Sequence, residues 1–133
     1  MPRYAYQQTV NAAQTLSGAG GRTIALGNVG WACLAAVRVT LVTTASAGNR
    51  QLRMRVLDNA NNPLLDVIDA NTIPASQTAT ISFAGLQSLA VGNTHLVPLP
   101  PDFAMPLGAQ INVADAAAID NNDTIAVTAV YTI

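Results

Sequence analysis

The chain has 133 residues, a formal net charge of −1, and 10% charged against 50% hydrophobic residues. That length makes one domain with a real core, and the charge balance excludes the basic footprint that nucleic-acid binding needs. All six basic residues are arginine and all seven acidic ones aspartate; with neither lysine nor glutamate, the surface suits a subunit partly covered by neighbours.

The opening segment MPRYAYQQTV lacks the apolar stretch of a signal peptide. No run reaches the roughly 18 apolar residues of a membrane span. A soluble protein made in a cytoplasm is expected. Arg3 is followed by Tyr4 and Tyr6, two positions apart, and then by Gln7 and Gln8. Tyrosine and arginine are enriched at binding hot spots, so Arg3, Tyr4 and Tyr6 are candidate contact residues. The segment from Pro2 to about Val10 reads either as an arm reaching a neighbour or, over 7–10, as a first strand. Residues 1–30, rich in Gln, Ala and Gly, form that arm or the first strands, and 31–133 the main β domain. Trp31 lies in an apolar run with Cys33 and is expected in the core. Cys33 is the only cysteine, so no intramolecular disulfide can form and a buried, inert thiol is expected.

From there the dominant period is two, the mark of half-buried strands. Strands are predicted near 7–10, 22–26, 31–43, 50–57, 64–69, 77–83, 95–99, 109–114 and 124–132. Leu52, Met54 and Val56 face inward, with Arg53 and Arg55 opposite; Ala79, Ile81 and Phe83 oppose Thr78, Thr80 and Ser82. Ala109, Ile111 and Val113 oppose Gln110 and Asn112. In the closing segment Ile125, Val127, Ala129, Tyr131 and Ile133 share one face. Turn clusters rich in Gly, Asn and Asp separate these runs. The alanines around Ala114–Ala118 could form one short helical turn. Eight or nine short strands, with turns about every eight to fifteen residues, argue an antiparallel sandwich or barrel. The last strand carries neither proline nor charge and is expected inside its sheet, not at an edge.

Three of the six arginines, Arg50, Arg53 and Arg55, lie in and just after one bend. Arg53 and Arg55 share a strand face about 7 Å apart. They form either a cationic stripe for a neighbour's carboxylates or an exposed face with cross-strand Arg–Asp pairs. Arginine's planar fork favours the interface over what lysine would offer. Every arginine lies at or before Arg55 and every aspartate at or after Asp58. Either early and late strands pair inside the fold, or adjacent subunits carry complementary patches.

Catalytic machinery is missing where it would be sought. His95 is the only histidine and is expected at an exposed or rim position. Asp66 and Asp69 are three apart on an extended segment, so they point to opposite faces. The Gly-rich 18–22 stretch lacks the lysine of a phosphate loop. Asp58–Asn62 and Asp120–Asp123 offer oxygen ligands without a calcium-loop pattern, and Asn and Asp favour turns in any case. No catalytic residue, metal site or cofactor is expected. A carbohydrate-binding or fibre-type module is the alternative class. It would need an aromatic platform, and with 5% aromatics only Tyr4 and Tyr6 could supply one.

The order VRVTLVTT, a bend closing on GNR, and QLRMRVLD is followed by ASQTATISFAG, LVPLPPDFAMPLGAQI and DNNDTIAVTAVYTI. Over about 35–133 this resembles the small jelly-roll structural proteins encoded beside the major capsid protein of tailed bacteriophages, the decoration or cement proteins. MPLGAQI keeps the Pro and Gly of the family's pattern with Leu between them, while Asn122-Asp123 stands where Gly-Asp is more usual. The resemblance implies an all-β antiparallel sandwich of jelly-roll type with about eight strands. It also implies a virion structural protein that braces the outside of the expanded capsid after synthesis in the host bacterial cytoplasm. Its partners would be the major capsid protein and itself, as a homotrimer or a dimer, with no nucleic acid, membrane or cofactor. Arg50 would fix the turn and not contact a ligand.

Overall fold

The structure is a computed structural model that describes residues 5–15, 22–25, 32–85, 87–117 and 122–132. All its regular elements are strands: β1 (Ala5–Thr15), β2 (Arg22–Ala25), β3 (Ala32–Val42), β4 (Gln51–Leu57), β5 (Pro63–Ile68), β6 (Thr78–Phe83), β7 (Leu89–Val91), β8 (Thr94–Val97), β9 (Phe103–Met105), β10 (Gln110–Ala117) and β11 (Thr124–Thr132). They form two sheets. The first runs β1-β11-β3-β6-β8-β7, with β9 also on β3, and the second runs β2-β10-β4-β5.

The pairing defines the winding. β1 pairs β11, β2 pairs β10, β3 pairs β6 and β4 pairs β5, all antiparallel. These eight strands are one long ribbon of nested hairpins. Rolling it brings β11 against β3 and β10 against β4, again antiparallel. That is a jelly roll, two Greek keys in two facing sheets, and the all-β antiparallel jelly-roll sandwich expected above is the fold. β7, β8 and β9 are additions between β6 and β10. β8 lies parallel to β6, the single departure from antiparallel order among the named pairs.

The alternating residues explain why the sheets face each other. Val37, Val39, Leu41, Leu52, Met54, Val56, Ile81, Phe83, Ile111, Val113, Ile125 and Val127 are at most 1% exposed and form one cluster. Each large side chain so buried contributes about 1.5–3 kcal/mol. The inward faces predicted for β4, β6, β10 and β11 are the observed ones. β11 lies between β1 and β3, as its uninterrupted alternation requires.

Three expectations need correction. β7 and β9 appear where no strand was predicted, because three residues carry too little alternation to register. The alanines to Ala117 continue strand β10, since cross-strand pairing with β4 outweighs their helix propensity. Of the two readings open for the N-terminal segment, Ala5–Thr15 takes the strand, and 2–4 lie outside the described residues. Cys33, expected in the core, is half-buried, with Ala32 and Leu34 on either side of it buried. Trp31 lies outside the described residues.

Candidate interaction surface

At one end of the sandwich the chain crosses between sheets through 43–50 and 69–77, and Asp123 stands beside them just before β11. Arg50 ties these crossings together. Its backbone exchanges two 2.8 Å hydrogen bonds with Ile73. Its side chain is fully buried, as is that of Asp123. Nε donates to Asp123 Oδ2 at 2.9 Å, and one terminal nitrogen donates to Asp123 Oδ1 and Thr44 Oγ1, each at 3.2 Å. The other donates to the carbonyls of Ser46 and Gly48 at 2.8 and 2.6 Å. Asp123 Oδ1 also accepts from the Thr44 amide at 2.7 Å. All five donors of the guanidinium are thereby used. Arg50 fixes the bend, and nothing on it is left to hold a ligand.

His95 was expected at a rim and is instead 2% exposed. It shares the inward parity of Val97 on β8, and its Nδ1 meets Asp69 Oδ2 at 2.5 Å. Asp69 closes β5 in the opposite sheet, and its other oxygen caps the Asn71 amide at 2.9 Å. The pair bridges the sheets where two apolar side chains would leave the Asp69 turn without its acceptor. Its role is a cross-tie. Asp66 points the opposite way and is exposed, as the three-residue spacing requires.

The outer face of the β2-β10-β4-β5 sheet carries the predicted pair Arg53 and Arg55. Arg53 makes two parallel 2.8 Å bonds to the oxygens of Asp66. The Asp66 hydrogen bond and charge raise the Arg53 pKa further above its usual range. Arg55 lies directly opposite Asp66 in register yet donates instead to Asn112 Oδ1 at 3.2 Å. Asn112 passes the line on to Thr23 Oγ1 at 3.1 Å. The buried Arg55 Nε meets no acceptor among the described residues. Leu64 and Ile68 border this face at 43% and 45% exposure. A polar row of arginines flanked by exposed apolar side chains has the composition of a surface that contacts another protein.

Arg3 and Tyr4 lie outside the described residues. Tyr6 is in β1, in register with Tyr131 of β11. The structure brings Arg53 and Arg55 together on one face. Phe83 and Tyr131 are buried and Phe103 half-buried, so none of these three aromatics offers an exposed platform. The Asp58 carboxylate is used inside its own turn, accepting from the Ala60 and Asn62 amides at 2.9 and 2.8 Å and from Asn62 Nδ2 at 3.1 Å. Those bonds, the Asn62 amide first, hold its pKa below the usual aspartate range. Asn61 takes a left-handed φ of 65°, which Asn tolerates. Among the described residues no cluster of His, Cys and Asp could hold a metal, and no helix is long and apolar enough to cross a membrane.

The β7 edge was missed. Leu89 and Val91 are 57% and 67% exposed at the rim of the larger sheet. The signal was present as Leu-Ala-Val before the Gly92-Asn93 turn, a short hairpin pattern.

No protein-family model matches the chain, and no curated protein sequence does either. Solved structures match in fold. One is a chain of the T13 particle of infectious bursal disease virus, at a TM-score of 0.50 and 14% identity, covering 98% of this chain and 31% of that one. Another, from T=1 particles derived from the same virus, gives a TM-score of 0.51 and 13% identity over 98% of this chain and 31% of that one. The chain thus spans just under a third of the length of these neighbours. Its class is the jelly-roll sandwich, of the kind present in those viral particles.

Proposed function

We propose that this protein is a virion structural protein, a decoration or cement subunit that binds the outer surface of a tailed-phage capsid and braces its lattice. The observation that carries this reading is the complete eight-strand jelly-roll winding, whose solved neighbours come from viral particles. The order of sequence blocks that resembles decoration proteins supports it, as does a surface low in charge. The major capsid protein is the partner, and the outer face bearing Arg53 and Arg55 is the contact, with Arg3, Tyr4 and Tyr6 contributing from the first strand and the segment before it. The role is structural and not catalytic. On the shell the subunit self-associates, as a trimer matched to three-fold lattice positions or as a dimer.

Co-sedimentation with expanded, emptied phage capsids tests this. The wild-type chain should pellet with shells at a fixed ratio and raise their melting temperature. Arg53→Ala/Arg55→Ala should lose binding by tenfold or more, about 1.4 kcal/mol, while its own unfolding is unchanged. A double variant that binds as well as wild type removes this face from the contact. A wild-type chain that never pellets removes the decoration role.

A further inference from the structure

The geometry points to the outer edge of β7, unpaired among the described residues, as a self-pairing edge: two copies of this chain join antiparallel about a two-fold axis at Ala90. β7 and β8 form a hairpin added to the jelly roll outside β6. Val91 and Thr94 pair across the two-residue Gly92-Asn93 turn. In such a turn the flanking pair exchanges both hydrogen bonds. The next pair, Ala90 with His95, then exchanges none, so the Ala90 N–H and C=O point away from β8 to the open edge.

Natural edges are blunted by charge, proline or bulges. β5, at the rim of the other sheet, carries Pro63 and Asp66. From Gly85 to Thr94 there is no charged residue and no proline. The hairpin is also held rigid. Asn93 Nδ2 donates to Gln77 Oε1 at 2.7 Å, the Asn93 carbonyl accepts from the Thr80 amide at 2.9 Å, and the His95–Asp69 tie anchors β8 to the opposite sheet. A pre-ordered strand with open donors and acceptors takes another strand.

That strand is a second β7, because the sequence Leu89-Ala90-Val91 is complementary to itself. With Ala90 opposite Ala90, each Leu89 lies beside the other copy's Val91. Both share the outer face with Leu96, by register, and their exposed surfaces are covered together. This contact stands apart from the capsid reading. It forms a pair in solution, and on a shell it links one oligomer to the next.

Three residues of edge make a weak pair, so covalent trapping is the suitable measurement. In a hydrogen-bonded antiparallel pair the Cα atoms are about 5.5 Å apart, inside the disulfide range. In a Cys33→Ala background, Ala90→Cys should form a disulfide-linked dimer on the order of tenfold faster than Leu107→Cys, a position that is also exposed but off the edge. Adding Val91→Lys should remove that advantage while the circular dichroism stays that of the parent. Equal rates for Ala90→Cys and Leu107→Cys, or a rate untouched by Val91→Lys, would overturn the edge pairing. Shell binding is read separately, by co-sedimentation of the uncrosslinked wild type.

Discussion

Two Arg–Asp pairs with the same bidentate chemistry begin three residues apart and do different work. Arg50 and Asp123 are wholly buried, 73 residues apart in sequence, and every donor of the guanidinium is used. Arg53 and Asp66 lie on adjacent strands with about a third of each side chain exposed, 35% and 38%. The first is a knot joining two crossovers to the start of β11, where removing one partner leaves a charge stranded in a buried interior. The second is a surface pair whose Coulomb gain is nearly matched by hydration and side-chain entropy. Burial and saturation of the remaining donors set what such a pair contributes, and distance alone does not.

The largest expected effect breaks the buried pair. Asp123→Ala should destabilise by about 3–5 kcal/mol, read from urea unfolding at neutral pH. Arg50→Met/Asp123→Leu should recover much of that, because neither charge remains unpaired. A cost for Asp123→Ala below about 1 kcal/mol would place the buried pair in the surface class.

The His95–Asp69 tie should fall between the two. Asp69→Ala leaves the His95 ring and the Asn71 amide without their acceptor, a loss of about 1–3 kcal/mol. Amide exchange should rise in β7 and β8 before it rises in β3 or β11. Uniform loosening of all strands would mean that the tie supports the whole sandwich and not the hairpin.

Arg53→Ala should leave the melting temperature within scatter of the wild type, and molar salt should alter the stability of the two proteins alike. A clear loss of stability would assign this face to the fold and weaken its claim as a contact surface.

The smallest effect concerns Asp58. Its folded-state pKa is depressed by the Asn62 and Ala60 amides and the Asn62 side chain. The turn's contribution is therefore complete above the usual aspartate range and lost as pH falls through the lower, folded-state value. Carboxyl NMR should show Asp58 titrating below free aspartate, and Asp58→Ala should flatten part of the acid limb of stability against pH. An Asp58 that titrates at the ordinary position would mean that the turn opens in solution.

Much of the sandwich was legible because a strand with one buried face writes its burial into every second residue. Leu52-Met54-Val56 and Ile125-Val127-Ala129 show it without ambiguity. The same parity would have placed His95 inward with Val97, had the polar side chain not argued for the surface. Arg50 stood out at the bend, and the decoration-type block order assigned it to turn fixing. Its partner could not be read, because nothing local marks Asp123 as the carboxylate that meets it. Arg53 and Arg55 were placed on one face correctly, but which of the two captures Asp66 depends on a diagonal reach across β4 and β5.

By itself the sequence determined the all-β class, the inward face of most strands, the interior place of the last strand and the absence of a lysine or glutamate surface. These follow from side-chain period and composition, which are local properties. The tertiary structure alone decided the nested pairing that makes a jelly roll, the parallel seat of β8, the burial of His95 and Arg50, and the open edge at β7. Each of these depends on which distant segments meet, and a chain records that only through the joint packing of all its strands.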